Sequence, residues 1–380
     1  MNQYLFTPGP VALSPEVSLA QAAPMIGHRG KAFSELFTRI EDKLALLLKS
    51  EGRTVIFPSA GTGALECLAA NFIGPGVDVL SISCGVFGDR FREIAALYGA
   101  NITAVDVPLG EGVTPALAAE AVRANPRCAV LLLTQNETST AVLNPIREII
   151  AALPEENRPL ALVDGVSSVG AMPCYPQAWG IDGLATASQK GLLTPPGLGL
   201  VWISERGWKA AAERKCPNYY FDLIRQKKTL CKNAPENPYT PPVSLYFALE
   251  TALDAILSHG DPENWFALRA RASRAFAAGL EAMGYELLVK EKEFRSPGLT
   301  AFLLPGGDTC AVSKALKAMG IDPAGGQAEL KGKIIRMAHY GDFNWPEISL
   351  ALGSLYAAMG DSRGRAGNFI AEAFGVWMEG

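Results

Sequence analysis

Short apolar runs separated by stretches of helical spacing recur through the first two thirds of the chain. Residues 55–57, 77–83, 102–107, 129–134, 160–163, 183–186 and 200–203 are rich in aliphatic and β-branched side chains, with helical stretches between most of them. Runs this short read as strands rather than helices. Strands that alternate with helices imply crossover connections, hence a mainly parallel seven-stranded sheet covered on both faces. In such sheets ligands gather at the carboxyl ends of the strands.

The pattern changes after this region. Residues 262–284 have helical periodicity, followed by a strand-like YELLVK (285–290), a second strand LTAFLLP (299–305), a helix over 308–319, a strand KIIRMAHY (333–340) and a helix over 346–359. This predicts a smaller C-terminal α/β domain. The expected organisation is an N-terminal arm at 1–16, rich in proline and turn formers, a large domain at 17–255, the small domain at 256–360 and a tail at 361–380. The apolar NFIAEAFGVWM of that tail is expected to fold back as a helix.

Composition narrows the function classes. Of 380 residues, 49% are apolar, 19% are charged and 38 are glycine, the mix of a compact α/β enzyme with many tight turns. A net charge of −4, with no Lys/Arg-rich stripe, argues against a nucleic-acid partner. The seven cysteines (67, 84, 128, 174, 216, 231 and 310) contain no C-x-x-C pair, which reads as a reducing compartment. The opening MNQYLFTPGP lacks the features of a signal peptide and no apolar run approaches membrane-spanning length, so a soluble, cytoplasmic protein is expected. His28, His259 and His339 are far apart in sequence, and no metal site is expected.

The strongest chemical feature is the apolar strand Leu160-Ala-Leu-Val-Asp164, which ends in a carboxylate at the rim where ligands bind. Lys190 follows 26 residues later, in Ala187-Ser-Gln-Lys190-Gly, ahead of the turn-forming LLTPPGLG. Partial burial lowers a lysine's pKa and leaves more free amine to attack a carbonyl. An acid that keeps a pyridine nitrogen protonated, with a lysine that forms a Schiff base, is the minimum equipment for using pyridoxal 5'-phosphate as an electron sink. Taken singly, Asp164 could as well cap a turn and Lys190 lie on the surface. A phosphate cradle is available in Ser59-Ala60-Gly61-Thr62-Gly63, a glycine-rich turn between a strand and a helix expected to begin near Ala64. Such a turn is equally an ordinary tight turn.

The motifs SAGTGALE, CGVFGDRF, TQNETSTAVLNP, VDGVSSVGAMP, ASQKGLLTPPGLG, YTPPVSLYFALE and KIIRMAHYGD occur in the order and spacing of class V aminotransferases. The chain resembles these, and among them the alanine-glyoxylate and serine-pyruvate aminotransferase group, from residue 7 to about residue 358. The resemblance implies a pyridoxal-phosphate-dependent transferase fold (fold type I), α/β in class, and a homodimer with shared active sites. It also implies transamination between a small amino acid and a small 2-oxo acid such as glyoxylate or pyruvate. By similarity Lys190 carries the cofactor, Asp164 pairs with its ring nitrogen, Phe87 stacks on the ring and Val166 packs on the ring's second face. Ala60, Gly61, Thr62 and Gln189 lie where the family binds phosphate. Thr138 lies near the phenolic oxygen, and Thr240 reaches the phosphate of the neighbouring subunit. Arg336 matches the arginine that grips the substrate carboxylate, a task suited to a guanidinium fork.

Phe87 stands where many relatives have tryptophan, and Thr62 where some have histidine. The GHRG motif around His28 and Arg29 resembles aminotransferases for phosphorylated or phosphonate amines, so Arg29 either meets a second anionic group or pairs with a surface acid. His339, just after the strand of Arg336, is either structural or functional. Two other readings stay open. One is a lyase such as a cysteine desulfurase, for which Cys310 is the only cysteine in the small domain. The other is a non-catalytic cofactor-binding protein, against which the joint presence of Lys190, Asp164 and Arg336 argues.

Overall fold

The computed structural model describes residues 4–304, 308–341, 343–359 and 368–379. In chain order the strands are β1 (Tyr4–Phe6), β2 (Thr54–Ser59), β3 (Asp78–Ser83), β4 (Asn101–Asp106), β5 (Val130–Thr134), β6 (Asn136–Glu137), β7 (Val142–Leu143), β8 (Leu160–Asp164), β9 (Gly183–Ala187), β10 (Gly197–Ile203), β11 (Leu299–Leu303), β12 (Ile321–Gly325) and β13 (Ile334–Ala338).

All seven expected runs become strands of one sheet, ordered β2-β10-β9-β8-β5-β3-β4. Neighbours pair in parallel, except that β10 runs antiparallel to both β9 and β2. The reason is the link from β9 to β10, residues 188–196, which is too short for a helical crossover. Central strands β5 and β9 are buried at every position, as a sheet covered on both faces requires, whereas the edge strand β4 has no buried residue.

A smaller four-stranded sheet has the order β1-β12-β13-β11. Its outer strand, β1, comes from the N-terminal segment and pairs in parallel with β12, Tyr4 opposite Ile321 and Phe6 opposite Pro323. Strand β12, Ile-Asp-Pro-Ala-Gly, carries proline and glycine and shows no strand pattern in sequence. YELLVK, expected as a strand, makes only a single bridge, Leu287 to Phe302, before turning away into the 3-10 helix Lys292–Phe294. Alternating burial is present there, but the ladder that would make it a strand is not.

The two largest of four hydrophobic clusters among the described residues mark the two domains. One lies about the large sheet and includes Phe33, Phe57, Leu131, Leu162 and Leu249; the other lies in the small domain and includes Phe276, Phe302, Ile335 and Leu352. The helix Pro262–Ala282 joins them, placing Trp265 and Phe266 in the first core and Phe276 and Leu280 in the second. Trp265 Nε1 pins this helix to the large domain by donating to the Gly170 carbonyl at 2.8 Å. The tail does form a helix, Phe369–Met378, which docks Phe369 and Ala373 into the second core; the SRGRAG segment before it lies outside the described residues. Among the described residues, no helix is long and apolar enough to cross a membrane.

Candidate active site

Strand β8 ends at Asp164 and β9 ends three residues before Lys190, so the parallel pairing of the two strands brings both chemical groups to the same edge of the sheet. The loops that follow touch backbone to backbone. Gly170 has a φ of +83°, and a Cβ on it would lie 2.5 Å from the Gly191 carbonyl oxygen; a Cβ on Gly191 would lie 2.3 Å from that of Val169. Only glycine allows that approach, and it seats the loop of Asp164 against the turn of Lys190.

Asp164 is buried, and its Oδ1 accepts the Val166 N–H at 2.8 Å. Among the described residues no arginine or lysine forms an ion pair with it within 4 Å. Burial pushes its carboxyl up to about 6, an effect that the Val166 N–H and the charge on Lys190 hold back. Burial likewise brings the Lys190 ammonium down to about 8, against the pull of Asp164 and Glu137. Lys190 Nζ stands 5.0 Å from the ring centre of Phe87, and Arg90 Cζ lies 4.9 Å from the same ring. The N-terminal segment covers the lysine: a Cβ on Gly9 would meet Lys190 Cγ at 3.0 Å, and the Val11 N–H donates to the Gln189 carbonyl at 3.2 Å.

The glycine turn differs slightly from expectation. The helix Gly61–Phe72 begins at Gly61 rather than near Ala64, with Ala60 as its N-cap and no side-chain cap. Its first N–H groups therefore have no capping side chain, and Ala60 and Thr62 beside them are exposed. Gly61 abuts Val166, since a Cβ on it would fall 2.6 Å from Val166 Cγ1. Gln189 Oε1 is buried without a hydrogen-bond partner among the described residues, so this amide is available to turn toward an incoming group. Arg336 lies in β13, an inner strand, where its Nη1 donates to the Thr138 carbonyl at 2.5 Å and its Nε to the Gly325 carbonyl at 2.8 Å. Burial lowers this guanidinium to about 10, while the nearby Glu137 carboxylate opposes the shift. Tyr340 ties the same strand to the Asp164 loop, its hydroxyl donating to the Ser167 carbonyl at 3.0 Å.

The family model described as "Aminotransferase class-V" matches residues 13–338. The chain belongs to the class-V aminotransferase family. A soluble hydrogenase 42 kDa subunit of Anabaena cylindrica is 34% identical to it, over 92% of this chain and 91% of that one. An L-aspartate–glyoxylate aminotransferase of Paracoccus denitrificans is 33% identical, over 89% and 86%. The crystal structure of pyridoxamine-pyruvate aminotransferase from Mesorhizobium loti superposes with a TM-score of 0.93 at 29% identity, covering 100% of this chain and 98% of that one. The protein is a pyridoxal-phosphate-dependent enzyme of this family, with its fold type I architecture of a large sheet domain and a smaller C-terminal domain.

The donor set of this class-V aminotransferase fits that cofactor. Among the described residues it offers a lysine with a lowered pKa, a buried acid without a paired cation, an aromatic face beside the lysine, and a helix N-terminus without a side-chain cap near an unpartnered Gln189 Oε1. Thr240 stands apart, exposed on the segment before the helix Val243–Leu257. His339 belongs to the core: it is fully buried, its ring lies 5.1 Å from Phe276 and 4.7 Å from Phe343, and burial pulls its imidazole down to about 3. Arg29 pairs with Glu236 at 3.2 Å and donates to the carbonyls of Asn237 and Pro238. Cys310 lies in the first turn of the helix Thr309–Ala318, its N–H capped by Asp308 at 2.8 Å. Among the described residues no group of three or more His, Cys, Asp or Glu side chains is placed to hold a metal ion.

Four residues around the site carried no signal in sequence: Gly9, Arg90, Glu137 and Gly325. Gly9 and Glu137 matter through contacts with residues distant in the chain, Gly325 through its backbone carbonyl, and Arg90 through the Phe87 ring one helical turn before it. The NETST motif names Glu137, yet nothing in its spacing says that the side chain turns inward.

Proposed function

We propose that the enzyme transfers an amino group between a small amino acid and a small 2-oxo acid such as glyoxylate or pyruvate, with Lys190 carrying pyridoxal 5'-phosphate. The observation that carries this reading is the placement of a lysine with a lowered pKa beside an aromatic ring and a buried aspartate that has no ion pair among the described residues. When bound, the cofactor supplies an electron-withdrawing ring that stabilises negative charge at the substrate's α-carbon. Asp164 holds the proton on the ring nitrogen, and the apolar surroundings that raise its own pKa strengthen that attraction. Phe87 would stack on one face of the ring and Val166 would pack on the other. The N–H groups that follow Ala60, with Thr62 and Gln189, receive the phosphate at the helix N-terminus. Thr138 lies near the phenolic oxygen. Arg336 grips the substrate carboxylate with guanidinium N–H groups not used by its bonds to the Thr138 and Gly325 carbonyls, which orients the α-hydrogen toward Lys190. Once the substrate amine has replaced it on the cofactor, the freed Lys190 Nζ would take that proton and return it, a role suited to an amine whose pKa burial lowers to about 8.

Thr240, exposed in one protomer, suits a contact with the phosphate of a partner, and we assign a homodimer with shared sites. The boundaries 17–255 and 256–360 suit the two cores, with the helix Pro262–Ala282 as the hinge between them. The absence of a membrane-spanning helix among the described residues and seven unpaired cysteines suit a cytoplasmic location. The hydrogenase name of the Anabaena relative describes that protein; the residues gathered around Lys190 are those a transaminase needs.

The test is an absorbance scan of purified, cofactor-loaded protein while alanine, serine, aspartate, 2-aminoethylphosphonate and phosphoserine are added singly. Loss of the visible band with a small amino acid, reversed by glyoxylate or pyruvate, supports the reading. A band untouched by all five overturns it, and a response to the last two alone moves the assignment to a phosphonate or phosphorylated amine.

A further inference from the structure

Glu137 is fully buried and lies outside the set of groups that touch substrate or cofactor in the reading above. Its carboxylate accepts four hydrogen bonds. Oε2 takes the N–H groups of Phe87 and Gly88, each at 3.0 Å, and Oε1 takes the Ser139 N–H at 3.0 Å and the Ser139 hydroxyl at 2.6 Å. Ser139 Oγ in turn accepts the Val86 N–H at 3.0 Å. The first three N–H groups of the helix Val86–Leu97 are thus capped from a separate loop rather than by Gly85, which has no side chain to do so. Gly85 is required for that docking: a Cβ there would lie 2.4 Å from Ser139 Oγ and 2.6 Å from Glu137 Cγ. The residue between Glu137 and Ser139 offers its carbonyl to Arg336 Nη1 at 2.5 Å.

We infer that Glu137 is a positioning residue that locks the aromatic platform Phe87 and the carboxylate clamp Arg336 to one loop, so that both keep their register with Lys190. Four donors converge on two oxygens, which only an ionised carboxylate can accept without loss; burial raises the Glu137 pKa, and the bonds from Ser139, Gly88 and Phe87 oppose that rise. Glutamine would turn an NH₂ group toward N–H donors at one end, losing either the Ser139 N–H bond or the pair from Phe87 and Gly88. The same charge acts on Lys190, Asp164 and Arg336, raising the pKa of each. A neutral substitute therefore changes both the placement and the field of the site, whereas a loop brace of purely structural value would leave the titration of the site alone.

The inference rests on the proposed function, and its test separates the two. Cofactor-loaded wild type and Glu137→Gln are titrated with pH while the visible band is followed, and then with 2-methylalanine, an amino acid with no α-hydrogen to lose. The expected result is a retained band whose midpoint moves to lower pH by roughly 0.5–1 unit, together with an affinity for 2-methylalanine weakened about tenfold. An unchanged midpoint and an unchanged affinity overturn the inference while the band itself upholds the wider reading; wild type without a band defeats the wider reading instead. If Glu137→Gln does not fold, Ser139→Ala is used, which keeps the charge and removes the hydroxyl bridging Val86 and Glu137. A weakened affinity for 2-methylalanine then supports the lock, and an unchanged one overturns it.

Discussion

Two buried aspartates stand at opposite ends of neighbouring strands. Asp182, just before β9, is met on every side: Arg206 binds both carboxylate oxygens, Ser204 donates to Oδ1 at 3.0 Å, and the Ala161 N–H donates to Oδ2 at 2.9 Å. Asp164, at the end of β8, has one backbone N–H and no cation paired to it among the described residues. Both are nearly inaccessible, at 2% and 5% exposure. A buried charge with a full set of partners holds the fold together, whereas one without them is kept at a cost, and such sites are candidates for chemistry. The amino end of the sheet is finished as structure; the carboxyl end is left incomplete, with the complement to come from a ligand.

That contrast breaks most sharply at Lys190. Lys190→Ala is expected to lose turnover by on the order of 10⁴-fold or more together with the visible band, while the fold persists by circular dichroism. Asp164→Asn is expected to cut kcat by roughly 10²–10³-fold with little loss of stability. Asp182→Ala should do the reverse, costing about 2–3 kcal/mol in denaturant unfolding, since it strands the Ala161 N–H and Arg206 but leaves the folded fraction active. If the two aspartates gave the same kind of defect, the distinction between the sheet's ends would fail.

A pH series sharpens it. The folded value of Asp164, about 6, lies above its ordinary 3.8, so the folded state prefers the protonated acid. The stability associated with that preference is fully present below pH 3.8 and is lost as pH rises through about 6. Cofactor-free Asp164→Asn should therefore gain on wild type across that window, by about 3 kcal/mol at most, and the gap should be flat above it. Chemical denaturation at several pH values measures this directly. The smallest expected effect is at the platform: Phe87→Ala should weaken cofactor binding about threefold to tenfold, the scale of one stacking contact, read by equilibrium dialysis.

The large sheet was legible because each of its strands is a compact apolar run, and Asp164 and Lys190 were legible because they close such runs. The small sheet was less so. Strand β12 has proline and glycine where a strand pattern needs alternation, and β1 pairs with it across almost the whole chain, a partnership set by tertiary packing. The antiparallel run of β10 could be inferred from the length of its link alone. Glu137 and Gly9 went unseen because their value lies in what approaches them, Phe87 in one case and Lys190 in the other. His339 shows the converse: a histidine close in sequence to Arg336 invites a chemical role, and its aromatic surroundings give it a packing role instead.

The central claim is that Lys190 is the residue to which the cofactor is joined. Borohydride reduction of the cofactor-loaded protein, followed by peptide mass spectrometry, fixes the linkage in place. The account predicts a phosphopyridoxyl mass on the peptide containing Lys190 and its absence in Lys190→Ala. The same mass on a different lysine, or on none, would contradict it.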